Sequence, residues 1–272
     1  MTPLKKINNI ELIQELNTGG TATVYLGVDL YTGTPVAVKE LKANMFKSDF
    51  VRTKFLEEAN QYLYLDHPNI VRLHDFIITE ESHYLVMEYV DGKNLLDYMN
   101  TVTGPLPMQN VALFFNEVLS ALTYVHAKKL VHLDIKPSNI MLSSSNNLKL
   151  VDFGITLDKS THSKEKMMGS PAYMSPEQIL EEDIDHQSDI YSAGIAMYEL
   201  LMGKLPFQKC ESRDELFEAI KKNEMPKIQA NNALDQDDEE EMNRIFRKAT
   251  FKDKSMRYQN CEEFQLDIIQ FL

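Results

Sequence analysis

No stretch of the chain approaches the roughly 18 uninterrupted apolar residues that a membrane span requires. The opening MTPLKKINNIELIQELN lacks the apolar core of a signal peptide, so the expectation is a cytoplasmic chain with no membrane span. Two cysteines, Cys210 and Cys261, are too few for a disulfide framework or a four-thiolate zinc site and read as reduced thiols. His67, His74, His83, His126, His162 and His186 show no metal-ligand spacing; His67 and His126 read as structural. Positive charge is scarce: 28 basic against 41 acidic side chains leave a formal charge of −13. A phosphate backbone would meet net repulsion, so nucleic acid is not an expected partner.

What is present is an ordinary globular composition, 43% hydrophobic and 25% charged, which argues against a disordered or fibrous chain. With 272 residues and no fixed-period repeat, there is room for one large domain or two lobes. Residues 10–39 alternate and turn like hairpins, and HPNIVRLHDFIITEESHYLVMEYV gives a second hairpin around its polar EES turn. Between them, SDFVRTKFLEEANQYLYL places Phe55, Ala59, Tyr62 and Leu63 at helical spacing, with Ser48 or Asp49 as cap. After Asp91-Gly92 the periodicity turns helical, with Val111, Phe114, Phe115, Val118, Leu119 and Leu122 on one stripe. Further amphipathic helices are expected in SDIYSAGIAMYELLMG, RDELFEAIKKN, EEEMNRIFRKAT and CEEFQLDIIQFL. The acidic run 235–241 reads as a solvated loop and the first turn of a helix. The fold class expected is therefore α+β: a small β-rich lobe with one helix over 1–90, and a larger helical lobe over 91–272.

Three motifs fall in a fixed order. PVAVKEL contains Lys39; VHLDIKPSNIML contains His132, Asp134, Lys136 and Asn139; KLVDFGI contains Asp152, Phe153 and Gly154. Together with the order of the lobes, they resemble the eukaryotic-type (Hanks-type) Ser/Thr protein kinase family over about residues 10–271, most closely its bacterial branch. The resemblance implies a bilobal protein-kinase-like fold, ATP with Mg²⁺, a protein Ser/Thr hydroxyl as acceptor and a signalling role. Phosphoryl transfer spreads charge over the equatorial oxygens, so such an enzyme supplies cations, holds two oxygens in line and takes one proton.

By the resemblance, Asp134 orients the acceptor hydroxyl and takes its proton, and Lys136 places a point charge on the transferring phosphate. Asn139 and Asp152 supply oxygen donors to Mg²⁺, as a small hard cation demands. Lys39 meets the α and β phosphates and is held by Glu58, with Glu57 its solvent-facing neighbour. Met87 stands at the back of the nucleotide pocket, backbone groups of Glu88 and Val90 face the adenine edge, and Val24, Ala37 and Met141 sandwich the ring. In GSPAYMSPE, Ser170 keeps a hydroxyl able to bond Asp134 and Lys136. Glu177 is expected to pair with Arg257, Asp189 to hold the backbone around His132, and His132 to stack in the core under Phe153.

Two departures from the family pattern stand out. Against G-x-G-x-x-G-x-V, with Val24 as anchor, the glycine places read Asn17, Gly19 and Ala22. Asn17 and the extra Gly20 are expected to keep the turn closable through left-handed backbone, with a looser grip on ATP. Leu133 replaces the arginine that usually precedes the catalytic aspartate, so a phosphate on the activation segment lacks its bidentate partner. Activity is then expected not to require phosphorylation of Thr156, Ser160, Thr161 or Ser163. The same departures support an alternative, a nucleotide-binding pseudokinase or scaffold. A small-molecule kinase sharing the two-lobed fold is disfavoured by Lys136-Pro137 and GSPAYMSPE.

Overall fold

The computed structural model describes residues 4–152, 170–229 and 236–272, and the backbone alone of Lys54, Glu58 and Gln61. The chain divides into two compact units, 1–91 and 92–272.

Alternating apolar residues build the first unit as a six-stranded antiparallel sheet. Its strands are β1 (Lys5–Ile7), β2 (Ile10–Thr18), β3 (Ala22–Asp29), β4 (Pro35–Leu41), β5 (Leu73–Ile78) and β6 (His83–Glu88), in the order β1-β2-β3-β4-β6-β5. The Asp29 carboxylate accepts from Tyr31 N at 2.8 Å and Thr32 N at 3.3 Å, a side-chain cap that turns β3 back onto β4. Because side chains alternate across a strand, Val36 and Val38 fall on one face, where they pack with Ile10, Leu12, Tyr84 and Val86 as a core. Strand β1 was not expected from the sequence; three residues are too few to show a period. Its Ile7 closes one edge of that core.

A one-turn helix, α1 (Ala43–Phe46), precedes α2 (Asp49–Tyr62). Ser48 is the cap, its hydroxyl accepting from Val51 N at 3.4 Å. Phe55, Ala59 and Tyr62 are buried as their spacing predicts, but Leu63 is 55% exposed: the helix ends at Tyr62, and Leu65 turns inward instead.

The second unit is helical, yet it opens with a three-stranded sheet that the sequence pattern did not reveal: β7 (Gly92–Asn94), β8 (Ile140–Ser143) and β9 (Leu148–Leu150), in the order β7-β8-β9. Gly92 is required there, since a Cβ would fall 2.0 Å from the Leu142 carbonyl oxygen. The helices are α3 (Leu95–Tyr98), α4 (Met108–Ala127), α5 (Pro176–Leu180), α6 (His186–Met202), α7 (Arg213–Lys222), α8 (Gln236–Ala249) and α9 (Cys261–Ile268). All six residues of the predicted α4 stripe are buried. Helix α6 is buried nearly all round and forms the axis of the unit. At Gly194 a Cβ would stand 2.8 Å from Thr250 and 3.0 Å from Ala249, so glycine lets the end of α8 press against α6. The described part of the acidic run opens α8, placing Asp237, Asp238 and Glu239 in its first turn, where the helix dipole favours them.

Candidate active site

The β8–β9 hairpin assembles the site. Its register pairs Ile140 with Leu150, and Val151 N donates to the Asn139 carbonyl at 3.0 Å, so the ladder runs one step past the strands. Asn139 and Asp152 therefore leave the same end of one hairpin, although thirteen positions apart. Apolar alternation enforces this: Ile140, Leu142, Leu148 and Leu150 are buried, and slipping the register by one residue would expose all four. Met141 lies on the opposite, half-buried face.

Asp134 is held by three donors. Lys136 Nζ reaches Oδ2 at 2.7 Å, Asn139 Nδ2 reaches Oδ2 at 2.9 Å, and Ser170 N reaches Oδ1 at 3.1 Å. Asn139 Nδ2 also donates to the Asp134 carbonyl at 2.9 Å, so the amide is oriented and its Oδ1 is left as an acceptor. The Ser170 hydroxyl lies 2.7 Å from Lys136 Nζ. Among the described residues it bonds Lys136 alone; the contact with Asp134 runs through the Ser170 backbone, which corrects the expectation of a hydroxyl bridge to both. The Asp134 and Lys136 side chains keep 14% and 19% of their surface exposed, enough to meet a reactant.

Beneath this constellation the backbone is strained and firmly held. Leu133 has φ 64° and Asp152 has φ 53°, left-handed conformations that cost about 1–2 kcal/mol each for residues with a Cβ. Asp189, fully buried in the first turn of α6, receives Leu133 N on Oδ1 at 2.7 Å and His132 N on Oδ2 at 2.8 Å, as expected from the sequence. Burial alone would raise the Asp189 carboxyl; the His126 hydrogen bond and the backbone donor of His132 outweigh it and hold the group below its usual range.

His126 Nε2 lies 2.8 Å from Asp189 Oδ2, and because a carboxylate only accepts, Nε2 carries the proton. Its Nδ1 faces the Cys261 sulfur at 3.5 Å, and burial holds that thiol protonated. Sequence reasoning read His126 as structural and missed this link; no pattern joins residues 63 and 135 positions apart. His132 is fully buried, its Nδ1 accepting from Asp134 N at 3.3 Å, and burial pushes its pKa down so that the ring is neutral.

Farther along, Ser175 and Gln178 form a capping box that opens α5. Gln178 Nε2 then donates to the Leu133 carbonyl at 3.4 Å, a contact the sequence reading missed, since the S-x-x-Q spacing signals only the capping box. Glu177 pairs with Arg257 at 2.6 and 2.8 Å, both side chains buried, as the sequence reading expected.

In the first unit, the register pairs Val24 with Lys39 and Ala37 with Met87, and puts these four on the sheet face opposite Val36 and Val38. Asn17, opposite Val24, lies in extended strand, and neither Gly19 nor Gly20 has a positive φ. The turn closes instead through Gly19 N to the Ala22 carbonyl at 2.9 Å, so the expected use of left-handed backbone is corrected. Glu88 N donates to the Arg72 carbonyl at 2.8 Å. Glu57 and Val90 are half-buried. The Glu58 side chain, Phe153, Gly154, Thr156, Ser160, Thr161 and Ser163 lie outside the described residues, and with them the Lys39–Glu58 pair and the stacking of His132 on Phe153.

Residues 10–267 match the protein kinase domain. The chain belongs to the protein kinase family. This kinase domain is 36% identical over 261 residues to the probable serine/threonine-protein kinase PknB of Lactococcus lactis, an overlap covering 94% of this chain and 41% of that protein. It is 32% identical over 277 residues to serine/threonine-protein kinase PknB of Mycobacterium leprae, covering 99% and 44%. It is 36% identical over 264 residues to serine/threonine-protein kinase PrkC of Bacillus subtilis, covering 95% and 40%. These relatives place the kinase domain in the bacterial branch of the Hanks type. The chain spans 40–44% of the length of these three curated relatives.

The kinase family implies ATP and a divalent cation. Among the described residues no cluster of three or more His, Cys, Asp or Glu side chains has the form of a self-sufficient metal site. The donor set that is present, one oriented amide oxygen and one carboxylate, fits a cation that brings phosphate oxygens and water to complete its shell. Among the described residues no helix is long and apolar enough to cross a membrane.

Proposed function

We propose that this domain is an active Mg-ATP-dependent protein serine/threonine kinase, with Asp134 and Lys136 as catalytic residues and Asn139 and Asp152 as metal ligands. The observation that carries the reading is the closed ring of hydrogen bonds joining Asp134, Lys136 and Ser170, with Asn139 bonded to the same Asp134 carboxylate. Three donors fix the carboxylate before any reactant arrives, which is the preorganisation that proton acceptance in a transition state requires. Asp134 orients the acceptor hydroxyl toward the γ-phosphorus and takes its proton as the oxygen–phosphorus bond forms and the bond from the γ-phosphorus to the bridging oxygen breaks, releasing ADP. Lys136, bridging Asp134 and Ser170, carries a charge to the equatorial oxygens without deforming the loop.

Mg²⁺, when bound with the nucleotide, neutralises charge developing on the phosphate oxygens. Asn139 Oδ1 and the Asp152 carboxylate are the groups that would hold it. On the sheet face of the first unit, Lys39 serves the phosphates, with Val24, Ala37 and Met87 beside it and the backbone of Glu88 and Val90 for the adenine edge; Asn17, Gly19, Gly20 and Glu58 complete that unit's nucleotide set. A cytoplasmic setting, where ATP is plentiful and thiols stay reduced, fits this chemistry, as does a signalling role acting on a protein hydroxyl.

Incubation with Mg-ATP labelled at the γ-phosphate and a generic basic protein, beside an Asp134→Asn control and a chelated sample, tests the reading. Phosphoserine or phosphothreonine formed only by the parent with metal supports it. Nucleotide binding without transfer supports a pseudokinase instead, and transfer to small hydroxyl compounds alone supports the third reading.

A further inference from the structure

The stretch 170–178 touches the catalytic loop twice. Ser170 meets the side chains of Asp134 and Lys136, whereas Gln178 meets the backbone, its Nε2 donating to the Leu133 carbonyl at 3.4 Å. Gln178 and Leu133 are both buried. Oε1 of Gln178 accepts from Ser175 N at 2.9 Å, and Nε2 faces a carbonyl, so the amide is oriented at both ends by backbone groups that cannot exchange roles.

A capping box asks only for an acceptor at this position, and glutamate supplies one as well as glutamine does. At the start of a helix the dipole favours the carboxylate besides. What glutamine adds is an NH₂ group that the cap does not use, and that group is the one turned to Leu133. On the other edge of the same peptide, Asp134 N donates to His132 Nδ1 at 3.3 Å. The Leu133–Asp134 peptide is therefore held at its carbonyl from α5 and at its N–H from within the loop. It leaves the left-handed Leu133, at φ 64°, and enters Asp134. Helix α5 is a firm support, since Glu177 ties it to the buried Arg257.

We propose that Gln178 is a positioning residue for phosphoryl transfer, holding the backbone from which Asp134 reaches the acceptor hydroxyl. The assignment rests on the kinase reading given above. Without the donor, Leu133 relaxes toward an ordinary φ, and Asp134, the next residue, moves with it. A displacement of about 1 Å at a reacting group costs about 100-fold, so a shift well short of that costs about tenfold. Asp134 serves the acceptor hydroxyl and not the nucleotide, so the loss falls on kcat and leaves the KM for ATP in place.

Three variants of the whole chain test this, assayed with Mg-ATP and a basic protein at about pH 8.5 and well below their melting midpoints. Gln178→Glu keeps the cap acceptor but sets an oxygen with no proton against the Leu133 carbonyl, the carboxylate being kept ionised by the cap donors and the helix start. Gln178→Met removes donor and acceptor without adding charge. Ser175→Ala takes the hydroxyl from the cap and leaves the Gln178 amide held by the backbone N–H of residue 175. Expected is kcat about tenfold lower in Gln178→Glu and about fivefold lower in Gln178→Met, with the KM for ATP within about twofold throughout. Ser175→Ala should keep kcat within about twofold although its Tm falls by about 2–4 °C. A kcat within about twofold of the parent in either Gln178 variant, a loss carried by KM instead, or a fall in Ser175→Ala as large as in Gln178→Met overturns the proposal, the last by showing that loosening α5 is enough. If the parent transfers no phosphate, the kinase reading fails and this assignment with it; transfer by the parent beside unaffected Gln178 variants fails this assignment alone.

Discussion

Replacing Asp189 with asparagine changes one atom of a buried side chain, and its effect can be worked from the contacts. Three N–H donors converge on the carboxylate: Leu133 N at 2.7 Å, His132 N at 2.8 Å and His126 Nε2 at 2.8 Å. Asparagine keeps one acceptor and turns an NH₂ group toward the other two donors. His126 can answer by exchanging its tautomer and accepting, but a backbone N–H cannot. One buried donor is left facing another, which costs about 1–3 kcal/mol, and a charge-assisted bond worth about 1.5–3 kcal/mol is lost besides. The sum is about 2.5–6 kcal/mol. At 2–4 °C per kcal/mol for a unit of this size, Tm falls by about 5–24 °C.

The kinetic effect follows from position. The released peptide adjoins Asp134 and contains the left-handed Leu133, which relaxes once its anchor is gone. A displacement of about 1 Å at a reacting group costs about 100-fold. Expected for Asp189→Asn, assayed well below its melting midpoint, is kcat reduced about 100-fold with KM for ATP within about threefold of the parent. If kcat stays within threefold while Tm falls, Asp189 only stabilises the unit and the positioning argument is wrong; if neither changes, the hydrogen bonds themselves are refuted.

Other outcomes can be stated briefly. Ser170→Thr should keep near-parental activity, whereas Ser170→Ala, which leaves Lys136 one acceptor short, should lower kcat about fivefold in the same transfer assay. Arg257→Met should cost about 3–5 kcal/mol by orphaning the buried Glu177 carboxylate, read from thermal melts. Burial alone would raise Glu177, but the hydrogen bonds and charge of Arg257, with the Ser188 hydroxyl, hold it below its ordinary 4.5. The pair's contribution is therefore complete above about pH 4.5 and lost as pH falls through the lower folded value, so the gap in Tm between parent and variant should narrow in that acid range. Alanine at Thr156, Ser160, Thr161 and Ser163 together should leave activity within tenfold of the parent; a larger loss would show that phosphorylation there is needed after all. Glycine at both 17 and 22 should lower the KM for ATP, and an unchanged KM would remove the case for a looser phosphate loop.

Long, strongly periodic elements were legible in the sequence because burial imposes their pattern: the α4 stripe, the Val36/Val38 face of β4, and the acidic start of α8. Leu63 shows the limit of that signal, since helical spacing does not say where a helix stops. The sheet β7-β8-β9 was not legible, its three- and four-residue strands being too short to distinguish from loop, and yet its register is what brings Asn139 beside Val151. Within the site, residue types could be assigned from the ordered motifs, and the Asp189 and Glu177–Arg257 contacts were anticipated on the same footing. The role of His126 was hidden because its partners come from α6 and α9, and only tertiary packing brings them to it. The turn after β2 was misjudged for a different reason: glycine permits left-handed backbone but does not compel it, and a single hydrogen bond from Gly19 closed the turn in ordinary conformation.

The anchoring of Leu133 has a consequence for how such a domain can change over time. Asp189 grips the peptide through its N–H, and Gln178 through its carbonyl, so the backbone at position 133 is held by groups other than its own side chain. An arginine gained at 133 would project from a backbone that other residues already hold, so a phosphate-docking point would arise there without new anchors for the loop.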